Sequence, residues 1–368
     1  MRFKIFECMH PLDDPKRYRR LDPKRVGASI QALGEQVEEA WAQMKDVTIP
    51  AGYKNISRIC HNGMGGSALG GYIIRAVYDR ELPVPFEVVN SYTLPGYVDA
   101  STLCVFLTYS GTTEEVLATR AQALKAKAKI FCITAGGQLG AWAKQRQIPE
   151  YRFDDTAGNP SAQPRMGLGY TLIGELGLFA RLGLVRVPES EIQNITALLK
   201  RKNVAWGPEV PFAKNPAKQL AKKLEHKIVQ LVASEHLAGN VHAWANQTNE
   251  TAKTLSDYRA IPELNHHLLE GLKFPAENRE HVHFLFFESK LYDQRNQFRY
   301  KVTKKVVTGN KLKHDSVTLK ASTRLGQSFE MLAFGSYVTY YQGLLGNVDP
   351  ARIAWVDLFK SELKKRKS

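Results

Sequence analysis

The sequence predicts an α/β fold of two stacked α/β/α sandwiches, each with a mostly parallel sheet flanked by helices. Strand and helix patterns alternate over residues 56–182, and a similar series runs over residues 216–344. Within the first series, the unbroken apolar run Leu103–Leu107 is typical of a strand that helices cover on both faces. With 368 residues, the chain is long enough for two such units, each burying its own core.

The positions of these patterns divide the chain into four segments. We expect a helical N-terminal extension over residues 1–50, a first sandwich over 51–185, a connector over 186–210 and a second sandwich over 211–368. The two halves share no obvious motif, so the suggestion of a repeat depends on the order of their elements alone.

Each predicted strand is a short apolar run, and each predicted helix carries apolar residues three or four positions apart. The predicted strands are residues 56–61, 85–90, 103–109, 130–134, 228–233, 282–287 and 317–320. The predicted helices are residues 31–44, 68–78, 113–127, 167–182, 216–224, 241–253, 293–307 and 329–344. Ligands of such folds bind beyond the carboxyl ends of the strands, so functional residues are expected in the turns there.

A glycine-rich turn follows the first predicted strand. The strand ends at His61, and the turn contains Gly63, Gly65 and Gly66 before Ser67 opens a helix. Glycines let the backbone approach an anion closely, and the N–H groups at the start of the following helix point towards it. The Ser67 hydroxyl adds a further donor at the same place.

A hydroxyl-rich turn follows the strand at residues 103–109. Thr108, Ser110 and Thr113 lie in this turn, directly before another helix. Helix N-caps would account for one such turn, but two of them in tandem, each after a buried strand, favour a phosphate held from two sides. Neither turn has the glycine and carboxylate pattern of a dinucleotide site, and neither is a Walker loop, because no Gly-Lys-Ser/Thr follows.

The formal net charge is +15, from 51 Lys and Arg against 36 Asp and Glu. Clustered basic residues suggest nucleic acid binding, yet no zinc-finger or RNP-type aromatic motif accompanies them. We favour solvated helix faces together with a field that attracts anionic substrates, and expect no nucleic acid partner.

The chain has no apolar run near the roughly 20 residues that a membrane helix needs, and no signal-peptide core. We therefore expect no membrane partner and a cytoplasmic location. Cys60, Cys104 and Cys132 fall on predicted buried strands, Cys8 stands alone, and no CxxC pair occurs. Reduced thiols are the preferred interpretation over disulfides or zinc.

Candidate groups for proton transfer lie in the second half. Glu250 is a carboxylate in the amide-rich segment 244–253, and His266 lies in the polar loop 261–267. A helix end and a loop 16 residues apart can meet across a pocket. Taken singly, Glu250 could be a helix-surface carboxylate and His266 a turn residue.

Several of these segments resemble the sugar-isomerase (SIS) family. GMGGSALGG at residues 63–71 and YSGTTEE at residues 109–115 look like the markers of its bifunctional phosphoglucose/phosphomannose isomerases. The segments at residues 249–253 and 262–266 resemble the family's N-E-N-A-K and P-E-L/W-N-H, with Thr251 in place of Asn.

The resemblance implies roles for four side chains. Glu250 would move a proton between C1 and C2 of an open-chain sugar through a cis-enediol, and His266 would open the pyranose ring. Arg165, in a P-R-x-x-x-x-Y element, would stabilise the enediolate charge. Lys360, in a diffuse match to the family's D-P-T-P-V…L-K ending, would reach the ring-opening site or simply belong to the basic tail.

The resemblance further implies phosphorylated hexose substrates, no cofactor, no metal, and a homodimer in which His266 comes from the neighbouring subunit. Gly66, Ser67, Thr108, Ser110 and Thr113 would hold the phosphate. A non-catalytic sugar-phosphate sensor and an isomerase of another phosphosugar are the alternatives. The presence of both Glu250 and His266 favours the enzyme, because a sensor needs no proton-transfer groups. The histidine pair at residues 281 and 283 is expected to face solvent rather than bind a metal.

Overall fold

Two parallel β-sheets organise the computed structural model, which describes residues 9–365. The first sheet has the strand order β2-β1-β3-β4-β5. Its strands are β1 (Arg58–Asn62), β2 (Phe86–Val89), β3 (Thr102–Leu107), β4 (Lys129–Thr134) and β5 (Glu150–Arg152). Each adjacent pair is parallel, so all the carboxyl ends meet at one edge.

The second sheet is also parallel and has the order β7-β6-β8-β9. Its strands are β6 (Ile228–Ser234), β7 (Ser256–Ile261), β8 (Val282–Glu288) and β9 (Lys313–Thr318). In each sheet the first strand of the chain pairs with both the second and the third strand. The two sheets therefore repeat one arrangement, which confirms the predicted fold class of two mostly parallel α/β/α units.

Helices cover both sheets. Those of the first half are α1 (Pro15–Leu21), α2 (Val26–Gln31), α3 (Leu33–Asp46), α4 (Gly66–Tyr78), α5 (Glu114–Lys125), α6 (Gly137–Arg146) and α7 (Leu168–Leu182). Those that follow are α8 (Glu189–Trp206), α9 (Pro216–Lys223), α10 (Ala238–Thr251), α11 (Asn278–His281), α12 (Gln294–Gly309), α13 (Arg324–Leu345) and α14 (Ala354–Lys365). No helix among residues 9–365 is both long and apolar enough to cross a bilayer.

Local chemistry explains several helix ends. Asn215 caps α9 by accepting hydrogen bonds from the amides of Ala217 and Lys218, and Pro216 occupies the first helical position. Asp14 and Pro15 begin α1 in the same way. The segment predicted as one helix at residues 31–44 is divided at Ala32, where α2 ends and α3 begins.

The cores confirm the covered strands of the first sheet. Every residue of β3 is buried, and Cys60, Cys104 and Cys132 lie without exposed surface in the sheet as free thiols. Cys8 lies outside the described residues. In the second half α13 is buried along nearly its whole length, so it forms the centre of that core.

The two halves meet where α4 packs against α10. Gly239 makes this close approach possible, because a Cβ there would lie 2.4 Å from the carbonyl oxygen of Tyr72. The contact places the end of α4 beside the start of α10. Conversely, the start of α4 lies on the side where α10 ends. One edge of each sheet borders this interface.

Three predictions about the second half need correction. The sequence did not predict β7 at residues 256–261, since this strand mixes polar and apolar residues without an apolar run or a regular alternation, and it is recognised by its pairing with β6. The strand predicted at residues 317–320 lies at residues 313–318 instead. His283 does not face solvent: it is buried, and its Nε2 lies 2.9 Å from Asp315 Oδ2.

Candidate active site

The glycine-rich turn joins β1 to α4 at the carboxyl edge of the first sheet. Gly65 adopts a φ of 50° and precedes a helix whose first amides have no side-chain cap. The buried Ser67 hydroxyl accepts a hydrogen bond of 3.0 Å from the amide of Tyr109 in the second turn. The first turn is thereby fixed directly to the second.

The hydroxyl-rich turn lies beside it, because β3 pairs with β1. The Thr108 and Thr113 hydroxyls are 2.6 Å apart, with Thr108 fully buried. Ser110 is exposed, and its Oγ lies 2.9 Å from Thr112 Oγ1. Thr113 is the N-cap residue of α5 but makes no capping bond with its side chain. Two uncapped helix starts bordered by hydroxyls are suited to bind an anion.

Arg165 lies next to the first turn. A Cβ on Gly66 would lie 3.1 Å from the amide nitrogen of Arg165 and 3.2 Å from the carbonyl carbon of Pro164. The 3₁₀ turn Pro164–Met166 therefore packs closely over the start of α4. Any side chain at position 66 would push this arginine away from the turn.

The guanidinium of Arg165 is only 2% exposed and uses all its donors inside the protein. Nε donates to Thr251 Oγ1 at 3.0 Å, and Nη1 donates to Gln163 Oε1 at 2.8 Å and to Glu250 Oε2 at 3.1 Å. Nη2 donates to the carbonyl oxygens of Pro350 and Ala351. Burial lowers the pKa of Arg165 and the Glu250 carboxylate opposes that change, so the group remains a cation.

Glu250 ends α10 and is partly open to solvent, with a side chain that is 30% exposed. Its Oε2 carries the ion pair with Arg165. The structure thus brings Glu250, Arg165 and the glycine-rich turn together. Thr251, the position where this chain departs from the family pattern, contributes its hydroxyl to the same arginine.

Lys253 also belongs to this cluster, although the sequence predicted no role for it. Its Nζ donates to the carbonyl oxygen of Glu250 at 2.6 Å. Burial and the nearby Arg165 charge lower its pKa to about 8. Its position at the end of the segment that carries Glu250 was the signal available in the sequence.

A buried pair of side chains, His61 and Glu175, supports the glycine-rich turn. The sequence did not predict this pair either. His61 Nδ1 lies 2.9 Å from Glu175 Oε1, and His61 Nε2 lies 3.1 Å from the carbonyl oxygen of Ser67. Neither side chain has exposed surface. A carbonyl oxygen only accepts, so Nε2 carries a proton, while Nδ1 and the carboxylate share another. His61 at the end of β1 was the visible signal, but Glu175 on α7 is distant in sequence.

His266 is not brought to Glu250 within one chain. Glu250 precedes β7 and His266 follows it, and the six residues of this strand span about 20 Å. The expectation that helix end and loop meet across a pocket therefore fails inside a single chain. His266 is exposed, whereas its neighbour His267 pairs with Glu263 at 2.9 Å.

Lys360 lies exposed on α14, and within residues 9–365 it has no hydrogen bond or ion pair. Nothing in one chain brings it to Arg165 or Glu250. Among the same described residues, no group of three or more His, Cys, Asp or Glu side chains is arranged to hold a metal ion.

Comparison with known proteins agrees with this fold. Residues 213–363 match the family model of the bacterial phospho-glucose isomerase C-terminal SIS domain. A hypothetical protein from Thermus thermophilus has the same fold, with a TM-score of 0.74 at 16% identity over 95% of this chain and 94% of that chain. The fold and the family model define a protein of the SIS class.

Sequence similarity is more specific. A bifunctional phosphoglucose/phosphomannose isomerase from Caldicellulosiruptor bescii is 31% identical over 343 residues, covering 91% of this chain and 98% of that protein. A second bifunctional phosphoglucose/phosphomannose isomerase, from Thermoplasma volcanium, is 29% identical over 304 residues, covering 82% of this chain and 90% of that protein. This chain belongs to the family of bifunctional phosphoglucose/phosphomannose isomerases.

The pair formed by His61 and Glu175 gives a prediction about stability. Glu175→Leu is expected to lower the free energy of unfolding by about 3–5 kcal/mol, because it leaves the buried imidazole without its partner. Urea titration followed by circular dichroism measures this loss. The double variant His61→Leu/Glu175→Leu should lose less than Glu175→Leu alone. A single variant within about 1 kcal/mol of wild type would contradict a structural role for the pair.

Proposed function

We propose that this chain is a metal-independent aldose–ketose isomerase that interconverts glucose 6-phosphate and mannose 6-phosphate with fructose 6-phosphate through a cis-enediol. The observation that carries the proposal is the ion pair of Glu250 with Arg165 beside two uncapped helix starts. One edge of the sheet thereby offers an anion site, a carboxylate and a buried cation. Membership of the isomerase family supports the same reaction.

In this proposal the phosphate binds at the two turns. Ser67, Ser110 and Thr113 supply hydroxyls, Thr108 orients Thr113, and Gly66 allows the backbone to approach. The starts of α4 and α5 complete the site with their dipoles and amides, because no side chain caps them, although the amides of Ser67 and Ala68 also donate to the carbonyl oxygens of Met64 and Gly65. Such contacts grip the phosphate equally in the substrate and in the transition state, so they contribute to binding rather than to the chemical step.

Glu250 is the proposed base that moves a proton between C1 and C2. Only its Oε2 is paired with Arg165. Among residues 9–365, Oε1 has no hydrogen-bond partner and is free to take the proton. Arg165 would stabilise the enediolate mainly through its charge, since its donors are already bonded, and burial strengthens this effect by lowering the local dielectric.

We further propose a homodimer whose active site is completed by His266 of the partner subunit. The support is that His266 is exposed and lies at the opposite end of β7 from Glu250. The C-terminal helix α14 gives separate support: Trp355 and Phe359 on it are 83% and 63% exposed. A second copy of the chain would cover this apolar surface and could bring Lys360 to a site, and twofold pairing is the commonest way to do so.

A non-catalytic sensor is less well supported, because phosphate turns alone would serve it and a paired carboxylate and arginine beside them would have no use. We propose no cofactor for the isomerase, since the proton transfers need only side chains. A cytoplasmic location is also a proposal, supported by the buried free thiols of Cys60, Cys104 and Cys132.

The reaction itself is tested with Glu250→Gln. The wild type is expected to form fructose 6-phosphate from either aldose phosphate in the presence of EDTA. Glu250→Gln should bind substrate but lose at least about 10²–10⁴-fold in kcat, because the amide cannot accept the proton. Coupled assays measure both rates. The matched control Glu270→Gln, on an exposed turn, should keep full activity. A Glu250→Gln enzyme within a few-fold of wild type would exclude this base.

Phosphate recognition is tested at the second turn. Ser110→Ala and Thr113→Ala should mainly raise KM for both aldose phosphates and leave kcat nearly unchanged, because the lost hydroxyls bind substrate and transition state alike. Initial-rate measurements over a range of substrate concentrations separate the two constants. Loss of kcat alone in both variants would place this turn in the reacting centre instead.

Complementation tests the shared site. Glu250→Gln and His266→Ala homodimers should each be inactive, whereas co-expression in equal amounts should restore roughly a quarter of wild-type activity. Half of the dimers are then mixed, and each mixed dimer has one intact site out of two. Affinity tags on the two chains allow the mixed dimer to be isolated before assay. An isolated mixed dimer without activity would mean that His266 does not act across the interface.

A further inference from the structure

The second sheet has a carboxyl edge that corresponds to the phosphate edge of the first. β6 occupies the same place in its sheet as β1 does, because each pairs with the next two strands of its half. Accordingly, the turn between β6 and α10 is the counterpart of the glycine-rich turn between β1 and α4. In open parallel sheets, this is the position where ligands bind.

A cavity of about 420 Å³ lies at this second edge. It is bounded by the latter part of α4, the start of α10, the end of β7 and the first residue of α13. Arg75, which lines it, is nine residues beyond Gly66 on α4, or about 13 Å along the helix axis. The cavity is therefore separate from the proposed active site, and its size suits a small organic ligand.

The cavity carries unpaired cations. Arg75 and Arg324 both line it, and neither guanidinium has a hydrogen bond or ion pair with any residue in the range 9–365. The guanidinium of Arg75 lies over the ring of Tyr72, 5.7 Å from its centroid, which leaves its N–H donors available. The third arginine, Arg80, is 3.5 Å from Glu235 Oε2. Asp79 and Glu235 also line the cavity, so the arginines exceed the carboxylates by one. Free guanidinium groups bind phosphate oxygens in pairs of parallel hydrogen bonds.

One buried group beside the start of α10 is unsatisfied. The first residue of this helix, Ala238, lines the cavity, and its amide donates to the carbonyl oxygen of Glu235. His236, which also lines the cavity, is 1% exposed, and its Nε2 donates to Gln327 Oε1 at 2.9 Å, so that Nδ1 is left without a partner among the described residues. A buried ring nitrogen without a partner is costly and calls for an explanation, and a ligand in the cavity would supply one.

An aromatic wall closes one side. The ring of His242 stacks on Tyr258 at 4.7 Å and lies 4.6 Å from the ring of Tyr72. No described residue forms a hydrogen bond with the His242 ring nitrogens. Burial lowers the pKa of His242, so at neutral pH the ring offers one donor and one acceptor, which matches a hydroxyl group.

We infer that this cavity is a second ligand site, specific for a phosphorylated and hydroxylated small molecule of the sugar-phosphate type. Arg75 and Arg324 hold the phosphate, and His242 contacts a hydroxyl group. Ligand binding at this cavity does not depend on the isomerase reaction. It gives the enzyme a place where a phosphosugar binds without being converted.

Equilibrium dialysis of the full chain tests the inference. The two labelled probes are inorganic phosphate and sorbitol 6-phosphate, which has no carbonyl group and cannot be isomerised. The variant Arg75→Gln/Arg324→Gln is expected to bind one sorbitol 6-phosphate fewer per chain than wild type, with affinity at that site reduced at least about 100-fold. Its kcat/KM for isomerisation should equal that of wild type.

The matched control is Arg279→Gln/Arg295→Gln, which removes the same charge from exposed positions of the second half outside the cavity. It should keep the wild-type number of bound ligands. An equal loss of bound ligand in the control would show that the effect comes from net charge alone and would overturn the site. An unchanged number of bound ligands per chain in Arg75→Gln/Arg324→Gln would overturn it as well. If the isomerase assay failed while the difference in bound ligand persisted, the proposed function would fall and this inference would stand.

His242→Phe separates a phosphosugar from free phosphate as the ligand. It should weaken sorbitol 6-phosphate binding at the second site about tenfold and leave inorganic phosphate binding unchanged, because only the polyol contacts the imidazole. The ring volume and the stacking on Tyr258 are largely kept in this variant. Equal binding of sorbitol 6-phosphate to wild type and His242→Phe would overturn the assignment of a hydroxylated ligand.

Discussion

The buried guanidinium of Arg165 is the interaction on which the arrangement of the site depends. It links three segments that are distant in sequence: the turn that contains Gln163, the end of α10 and the loop at Pro350. A charge so far from water is tolerable only when every donor is satisfied, and here each of them is. The same bonds hold the Glu250 carboxylate beside the first sheet, so the two halves share one polar centre.

A second set of hydrogen bonds fixes the anion site of the first sheet. Ser67 bonds to the amide of Tyr109, and its own carbonyl oxygen is held by His61 beneath it. The backbone of the turn is thus fixed before any ligand arrives, which lowers the entropy that binding would otherwise cost. Both helix starts at this edge remain uncapped. An anion at this edge would meet two helix starts that carry no side-chain cap within residues 9–365.

Both sheets have the same strand order, so the protein has two equivalent carboxyl edges. These two edges carry different side chains. The first edge has glycines and hydroxyls, whereas the second has arginines, histidines and an aromatic wall at the start of α10. The close packing of α4 on α10 at Gly239 joins the edges, because each helix starts near the end of the other. A ligand on the second edge would therefore touch a helix whose first turn belongs to the first edge.

The sequence by itself determined the α/β class, the two turns and the carboxylate Glu250, because apolar runs and glycine patterns are local properties of the chain. It did not predict β7, whose residues have no regular apolar pattern and become a strand only through pairing with β6. It left open whether His266 meets Glu250 within one chain or comes from a neighbouring subunit, because without β7 it could not show that this strand separates the two within one chain. Glu175 and the contacts of Lys253 were also hidden, since burial and long-range pairing arise only when the helices pack. Tertiary structure decided which polar groups meet, because contacts between residues distant in sequence leave no local pattern.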